Sequence, residues 1–194
     1  MQTAIVNLGT INVQSGTLNT NSDLVNGATG TITGAGTING SLTISGGTIA
    51  PGNSIGNLTV VGGAFLVNAS STFAAELNAA SADQLVFQNP TSAVNLGTGL
   101  LALNLILLSV PTANMTYNLI RISAGPQVIN GRFAGLPNPG DGFSTLFGAT
   151  PFHFTVNYGA NLISITAVPE PSTYAMLGAG VAVIAWLHRR RRRQ

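Results

Sequence analysis

The stretch from Gly30 to Ile49, GTITGAGTINGSLTISGGTI, decides the fold. The triplet Gly-Thr-Ile begins within it at Gly30, Gly36 and Gly47. Each triplet alternates a polar β-branched residue with an apolar one, which predicts a very short strand with threonine on one face and isoleucine on the other. Glycine, asparagine or serine separates these strands, and such residues favour corners where the chain turns.

The same pattern extends on both sides of this stretch. Gly9-Thr10-Ile11 and Gly16-Thr17-Leu18 precede it, and the strand-like run Asn57–Val61 follows it. Strands this short cannot bury themselves in a hairpin, whereas stacked coils cover one another and share a continuous core. Residues 1–88 therefore predict a β-solenoid, a parallel β-helix with about 20 residues per coil. A β-sandwich of short antiparallel strands is the alternative that the pattern leaves open.

Residues 89–167 predict a second region with longer strands that closes the body. Its apolar run Leu100–Leu108 has too few polar residues for a half-exposed strand, so we expect it to be buried on both faces or to face a lipid or a partner. The residues from 168 to 194 form a third region of different character. The predicted fold class is thus all-β, a parallel β-helix followed by a strand-rich region and one C-terminal transmembrane helix.

The composition excludes several classes of function. Only 6 % of the 194 residues are charged, against about 25 % in an ordinary soluble domain, and the chain has neither lysine nor cysteine. Acid–base catalysis, metal binding and phosphate chemistry all draw on residue types that are scarce here. Five of the seven positive charges lie in the last six residues, so no basic face could follow a nucleic acid. We predict no enzyme activity, no cofactor, no metal and no nucleic-acid partner.

Isolated polar residues of the body are assigned no chemistry. His153 has no second ligand at zinc spacing, so we expect an outward-facing side chain. Glu76 and Asp83 are close in sequence and could form an acid–base pair, but their Ser/Ala-rich context favours solvated side chains. Asp141 precedes a glycine and is interpreted as a turn residue. The body arginines, Arg121 and Arg132, are expected to pair with carboxylates or to snorkel.

The tail has three parts in order. A proline-stiffened junction, Val168–Thr173, leads to 14 uncharged residues, Tyr174–Leu187, and then to His188 and an arginine cluster. As a helix the apolar run covers about 21 Å, and snorkelling with local bilayer thinning could make up the difference from a bilayer core of about 30 Å. The predicted anchor residues are Tyr174, Leu177, Val181, Ile184, Trp186 and Leu187. The predicted stop-transfer residues, which stay cytoplasmic, are Arg189, Arg190, Arg191, Arg192 and Arg193.

This tail resembles the PEP-CTERM protein-sorting signal of Gram-negative envelope and exported proteins. Pro169, Glu170 and Pro171 correspond to the motif that gives the signal its name. The resemblance implies an exosortase as processing partner, membrane lipid as a partner before processing, and exopolysaccharide as a candidate partner afterwards. It also implies export to the cell envelope or beyond, through a single-pass inner-membrane intermediate. A plain membrane anchor that is never cleaved is the alternative.

The body resembles the passenger domains of autotransporters. Gly47–Val60, with its Pro51-Gly52-Asn53-Ser54 turn, looks like a passenger coil, and Ser81–Val86 is similar to the strand that follows it there. Tyr117–Ile120 and Gly131–Pro137 resemble the closing strands. The large translocator barrel of that family is missing from this sequence, and the sorting tail would replace it.

Three functions follow as hypotheses. The first is a non-enzymatic envelope or extracellular-matrix protein sorted through its C-terminus. The second is an adhesin or self-assembling surface protein with an uncleaved anchor, and the third is a β-helix polysaccharide lyase. Residues 1–9 show neither the basic nor the apolar part of a signal peptide, so we expect the start of the chain to be truncated.

Overall fold

The computed structural model describes residues 4–169, Val181 and His188. The described body is all-β. Its strands are β1 (Ile5–Asn7), β2 (Thr10–Asn12), β3 (Thr17–Asn19), β4 (Leu24–Asn26), β5 (Thr31–Gly34), β6 (Thr37–Ser45), β7 (Thr48–Pro51), β8 (Asn57–Ala69), β9 (Ser71–Leu77), β10 (Gln84–Gln88), β11 (Val94–Leu107), β12 (Thr116–Ala124), β13 (Ile129–Phe133), β14 (Gly142–Phe147), β15 (Thr150–Tyr158) and β16 (Leu162–Val168).

The chain visits three parallel ladders in turn. The first ladder runs through β1, β4, the second half of β6, the second half of β8, the start of β11 and β13. The second runs through β2, β5, β7, β9 and the rest of β11. The third runs through β3, the first halves of β6 and β8, then β10 and β12. Three successive ladder positions therefore make one coil.

The Gly-Thr-Ile and Gly-Thr-Leu triplets fall into two interleaved series. Thr10, Thr31 and Thr48 lie side by side on the second ladder, whereas Thr17 and Thr37 do so on the third. This alternation explains why the triplets are irregularly spaced along the chain. In the inner coils each threonine faces outward and the following isoleucine is buried, as the two-residue period of a strand requires.

The coils lengthen along the chain. Leu24 pairs with Leu42, 18 residues later, whereas Val94 pairs with Ile129, 35 residues later. Larger side chains fill the wider coils: the ring centroids of Phe65 and Phe87 are 4.9 Å apart. Rings and branched aliphatic side chains from all three ladders thus form one continuous core.

A buried pair of asparagines joins the first two coils. Asn7 Nδ2 donates to Asn26 Oδ1 at 2.8 Å, and Asn26 Nδ2 donates to the carbonyl oxygens of Gly30 and Thr48, each at 3.0 Å. Because a buried amide without partners is destabilising, these bonds fix the register of neighbouring coils.

Glycines allow coils to approach closely at one corner. Gly40 of β6 pairs with Gly62 of β8, and a Cβ on Gly63 would overlap the Gly40 carbonyl group and the Ser41 nitrogen. Only a residue without a side chain fits there at normal strand spacing of about 4.8 Å.

An antiparallel meander closes the far end. β12 pairs with β16, β16 with β15 and β15 with β14, all antiparallel. β14 also contacts the second ladder, because Thr145 Oγ1 donates a hydrogen bond to the Leu105 carbonyl oxygen at 3.0 Å.

Two sequence-based expectations are corrected. Leu100–Leu108 is not buried on both faces: Leu101, Leu105 and Leu107 point inward, while Ala102, Asn104 and Ile106 are exposed. The prediction of one transmembrane helix is also wrong, because the described part of the chain holds no helix long and apolar enough to cross a membrane. An apolar run of 14 residues is short for that purpose. Of the predicted anchor residues only Val181 is described, and it is 60 % exposed. The others, Tyr174, Leu177, Ile184, Trp186 and Leu187, lie outside the described residues.

Candidate sorting junction and carboxylate pocket

The body ends at a strand that is bonded on both sides. Val168 closes β16, pairs with His153 of β15 and is 39 % exposed. On the other side, Ala167 accepts a backbone hydrogen bond from Asn114 at 2.8 Å and donates one to Met115 at 3.0 Å. Pro169 follows and has no N–H to donate, so it cannot extend the ladder.

Asp83 joins two successive coils at the Pro51–Ser54 turn. A tight turn closed by the Asn78 N–H bond to the Ser81 carbonyl at 2.9 Å brings Asp83 back against β9. Its Oδ2 accepts the Glu76 N–H at 2.7 Å, and its Oδ1 accepts the Gly56 N–H at 2.8 Å. The side chain is only 2 % exposed. The expectation of a solvated Asp83 is therefore wrong, because its carboxylate accepts the backbone N–H groups of Glu76 in β9 and of Gly56 in the preceding coil.

Burial raises the pKa of Asp83 to about 6. The two backbone N–H bonds, from Glu76 and Gly56, act in the opposite direction, and the nearby Glu76 carboxylate adds a smaller upward contribution to the pKa. Glu76 Oε2 is itself buried and has no hydrogen-bond partner among the described residues. Glu76 and Asp83, which the sequence analysis weighed as an acid–base pair, thus both line one cavity of about 190 Å³.

Ser144 and His153 form a second polar pair. They face each other across β14 and β15, with Ser144 Oγ 2.7 Å from His153 Nδ1, and both side chains are exposed. A serine nucleophile also needs a third group that orients its histidine. No residue of the described part bonds His153 Nε2, so the pair lacks this feature.

Among the residues that the structure describes, neither body arginine forms an ion pair with a carboxylate. Arg121 Nε donates to Gln84 Oε1 at 3.2 Å, and the Arg132 guanidinium lies 4.4 Å from the centroid of the Tyr158 ring. Asp141 Oδ2 accepts the Asn138 N–H, which is turn geometry. Residues 4–169, with Val181 and His188, contain no group of three or more side chains suited to hold a metal ion.

A file of threonines runs along the outer face of the second ladder. We call Thr10, Thr31, Thr48 and Thr72 the threonine file, since each pairs in register with the next. None of the four hydroxyl groups has a hydrogen-bond partner within the described residues. The file presents uncharged hydroxyl groups at the spacing of neighbouring strands, about 4.8 Å.

The chain that leaves β16 carries a known sequence motif. Residues 167–192 match the family model of the PEP-CTERM protein-sorting motif. The PEP-CTERM motif implies processing by an exosortase and export to the cell envelope. The match begins at Ala167, so it overlaps the last two residues of β16. No curated protein and no solved structure matched the chain. No family model matched the body, so its resemblance to autotransporter passengers stays a prediction.

Only the first of the predicted sorting-motif residues lies within the part of the chain that the structure describes. Pro169 is described and half-buried. Glu170, Pro171 and the stop-transfer residues Arg189, Arg190, Arg191, Arg192 and Arg193 lie outside the described residues. The PEP-CTERM match covers Glu170, Pro171 and all of these arginines except the last.

Proposed function

We propose that the protein is a non-enzymatic envelope or extracellular-matrix protein whose body is released from its sorting tail by an exosortase. One observation carries this proposal: the PEP-CTERM match shares only the last two residues of the final strand and otherwise lies beyond the body. A cut after Pro169 therefore leaves every strand of the body with its partners. The core residues lie between Val13 and Ala167, so the released body keeps its whole apolar core.

We propose further that the body is a solenoid of the autotransporter-passenger kind. Support comes from the three parallel ladders and from the hydrogen bond that Gly56 N–H donates to Asp83 Oδ1. This bond joins the stretch that resembles a passenger coil to the stretch that resembles the strand after it. Such a body holds its outer faces rigid and regular.

The threonine file gives this body a surface for neutral exopolysaccharide. Its hydroxyl groups have no partners in the described chain, and its column carries no charge. A single hydrogen bond contributes only about 1 kcal/mol, but a polymer engages several equivalent groups at once and gains by multivalency.

Sorting is tested by expressing tail variants in a host that contains an exosortase. We expect wild-type protein at the cell surface to lack residues 189–193 by intact-mass spectrometry. The double variant Pro169→Ala/Pro171→Ala should accumulate uncut, because the junction loses its extended conformation. Pro137→Ala/Pro139→Ala is the matched control, since it changes an exposed Pro-Asn-Pro in the body. Surface protein that retains Arg189–Arg193 would contradict processing.

Binding is tested by cosedimentation with purified neutral exopolysaccharide. Thr31→Val/Thr48→Val keeps the shape of the file and removes two hydroxyl groups, so we expect several-fold weaker retention. Thr43→Val changes a threonine on the first ladder and serves as control. Equal retention of all three proteins would exclude the threonine file as the binding surface. Turnover of pectin-like polymers by the purified protein would overturn the non-enzymatic assignment.

Self-association is a second candidate function of the body. Three apolar side chains of the first coil are well exposed: Ile5 at 45 %, Val6 at 59 % and Leu8 at 64 %. Light scattering that shows a monodisperse monomer at high concentration would count against this function.

A further inference from the structure

Three exposed apolar side chains lie together at the end of the meander where the chain leaves the body. Leu146 of β14 pairs with Pro151 of β15, and Val168 of β16 pairs with His153, two residues further along β15. Directly opposed residues of antiparallel strands share a face, as do residues two apart on one strand, so all three side chains lie on one face of the sheet. Leu146 is 62 % exposed, Val168 is 39 % exposed, and Pro151 is exposed as well. We call Leu146, Pro151 and Val168 the junction patch.

The same face becomes polar away from the junction. Thr155 pairs with Thr166, and Asn157 Nδ2 donates a hydrogen bond to Thr166 Oγ1 at 3.1 Å. Residues 142–158 contain no aspartate, glutamate, lysine or arginine. The junction patch is therefore suited to an apolar, uncharged surface of a partner.

The junction patch lies close to the start of the sorting motif. β15 extends three residues beyond the His153–Val168 pair, to Thr150, which places the hairpin tip about 10 Å from that pair at about 3.3 Å per residue. Pro169, the first residue of the motif, directly follows Val168. Even a 100-residue domain has a radius of gyration of about 13 Å, so an enzyme seated on Pro169 and the residues after it also meets the hairpin.

We propose that the junction patch is a docking surface for the exosortase, used in addition to the sorting motif. The inference rests on the proposed release of the body by an exosortase, and it adds a contact on the folded body. Val168 belongs both to the patch and to the PEP-CTERM match, so the two surfaces are continuous. Burial of the patch against an apolar face of the enzyme favours binding through the area removed from water. Because Leu146 and Pro151 lie outside the matched motif, their contacts stabilise bound substrate and transition state equally, which lowers KM and leaves kcat unchanged.

The test is a steady-state cleavage assay of the full-length chain with detergent-solubilised exosortase, followed by intact-mass spectrometry. Leu146→Ser should raise KM by about fivefold or more and keep kcat within about twofold of the wild-type value. Leu146→Met keeps an apolar side chain and should stay close to the wild type. Leu8→Ser is the matched control, because this leucine is 64 % exposed but lies in the first coil. Both serine variants should fold, since each replaces an exposed side chain, and urea unfolding midpoints equal to that of the wild type would verify this.

The outcomes separate this inference from the proposed function. Wild-type protein that stays uncut in the exosortase-containing host would overturn both. Wild-type protein that is cut, together with Leu146→Ser cut at the same KM, would refute the docking surface alone. An equal rise of KM in Leu8→Ser, or a fall of kcat at unchanged KM in Leu146→Ser, would refute it too. If Leu146→Ser slows processing in cells but not in detergent, the patch contacts lipid, and its assignment to the exosortase is wrong.

Discussion

Replacing Gly63 by alanine tests the coil register directly. The new methyl group would overlap the carbonyl group of Gly40 and the nitrogen of Ser41 in the preceding coil. All the contacted atoms belong to the backbone, so no side chain can rotate away and the two strands must separate locally. Overpacking of this kind costs about 1–3 kcal/mol. Separation also weakens the bond from the Ala64 N–H to Ser41 Oγ, worth about 1 kcal/mol. We therefore expect Gly63→Ala to lower the free energy of unfolding by about 2–4 kcal/mol.

The matched control is Gly9→Ala. A Cβ on Gly9 meets no atom within 4 Å, and the residue does not have a positive φ angle. Its replacement should change stability by less than about 1 kcal/mol, with a gain from the stiffer unfolded chain. Urea unfolding followed by far-ultraviolet circular dichroism gives both midpoints. If Gly63→Ala and Gly9→Ala unfold at the same urea concentration, the pairing of β6 with β8 is wrong, and so is the stacking of coils built on it.

Other predictions concern pH and the buried side chains. The folded chain holds the Asp83 proton up to about pH 6, whereas the unfolded chain releases it near its ordinary pKa of 3.8. The protein should therefore lose on the order of 2 kcal/mol of stability as pH rises from about 4 to 6. Denaturant titrations should show this fall in wild type and not in Asp83→Asn; a flat wild-type profile would contradict it. Tyr158→Phe should cost about 1–3 kcal/mol by the same assay, because the hydroxyl group donates to the Leu136 carbonyl at 2.7 Å and accepts the Phe133 N–H at 3.1 Å. Phe73→Ala should cost about 3–5 kcal/mol, since this fully buried ring packs against Phe133; a loss below about 1 kcal/mol would refute its central place in the core.

The alternation of polar and apolar residues predicted the positions of the strands better than it predicted which strands pair. The side chain of Thr31 points outward and that of Ile32 points inward, as the two-residue period of a strand requires. This period depends only on neighbouring residues. Partner choice depends on how many residues each coil uses, and that number changes along the chain. For this reason the even coil of about 20 residues describes the early coils and fails in the later ones.

The run Leu100–Leu108 shows how composition misleads. Its leucines suggested burial on both faces or contact with a lipid or a partner, and the structure excludes the first of these because Ala102, Asn104 and Ile106 occupy exposed outward positions. A strand beside only one neighbouring layer keeps a solvent face even when that face is apolar. Apolar content alone cannot distinguish this case from a strand covered on both sides.

The carboxylate pocket was missed because its geometry is not local. Glu76 and Asp83 are seven positions apart, and nothing in that spacing indicates that a turn at Asn78–Ser81 folds one onto the other. The short polar turn Asn-Ala-Ala-Ser was the available signal. Its consequence for Asp83 depends on Gly56, which reaches it from another coil.

The tail leaves the body from the middle of a sheet. β16 has β12 on one side and β15 on the other. Tension applied at Pro169 along this strand would load both sets of hydrogen bonds in shear, all together, instead of peeling an edge strand one bond at a time. A force applied to the C-terminal end of the body would therefore meet a mechanically resistant attachment point.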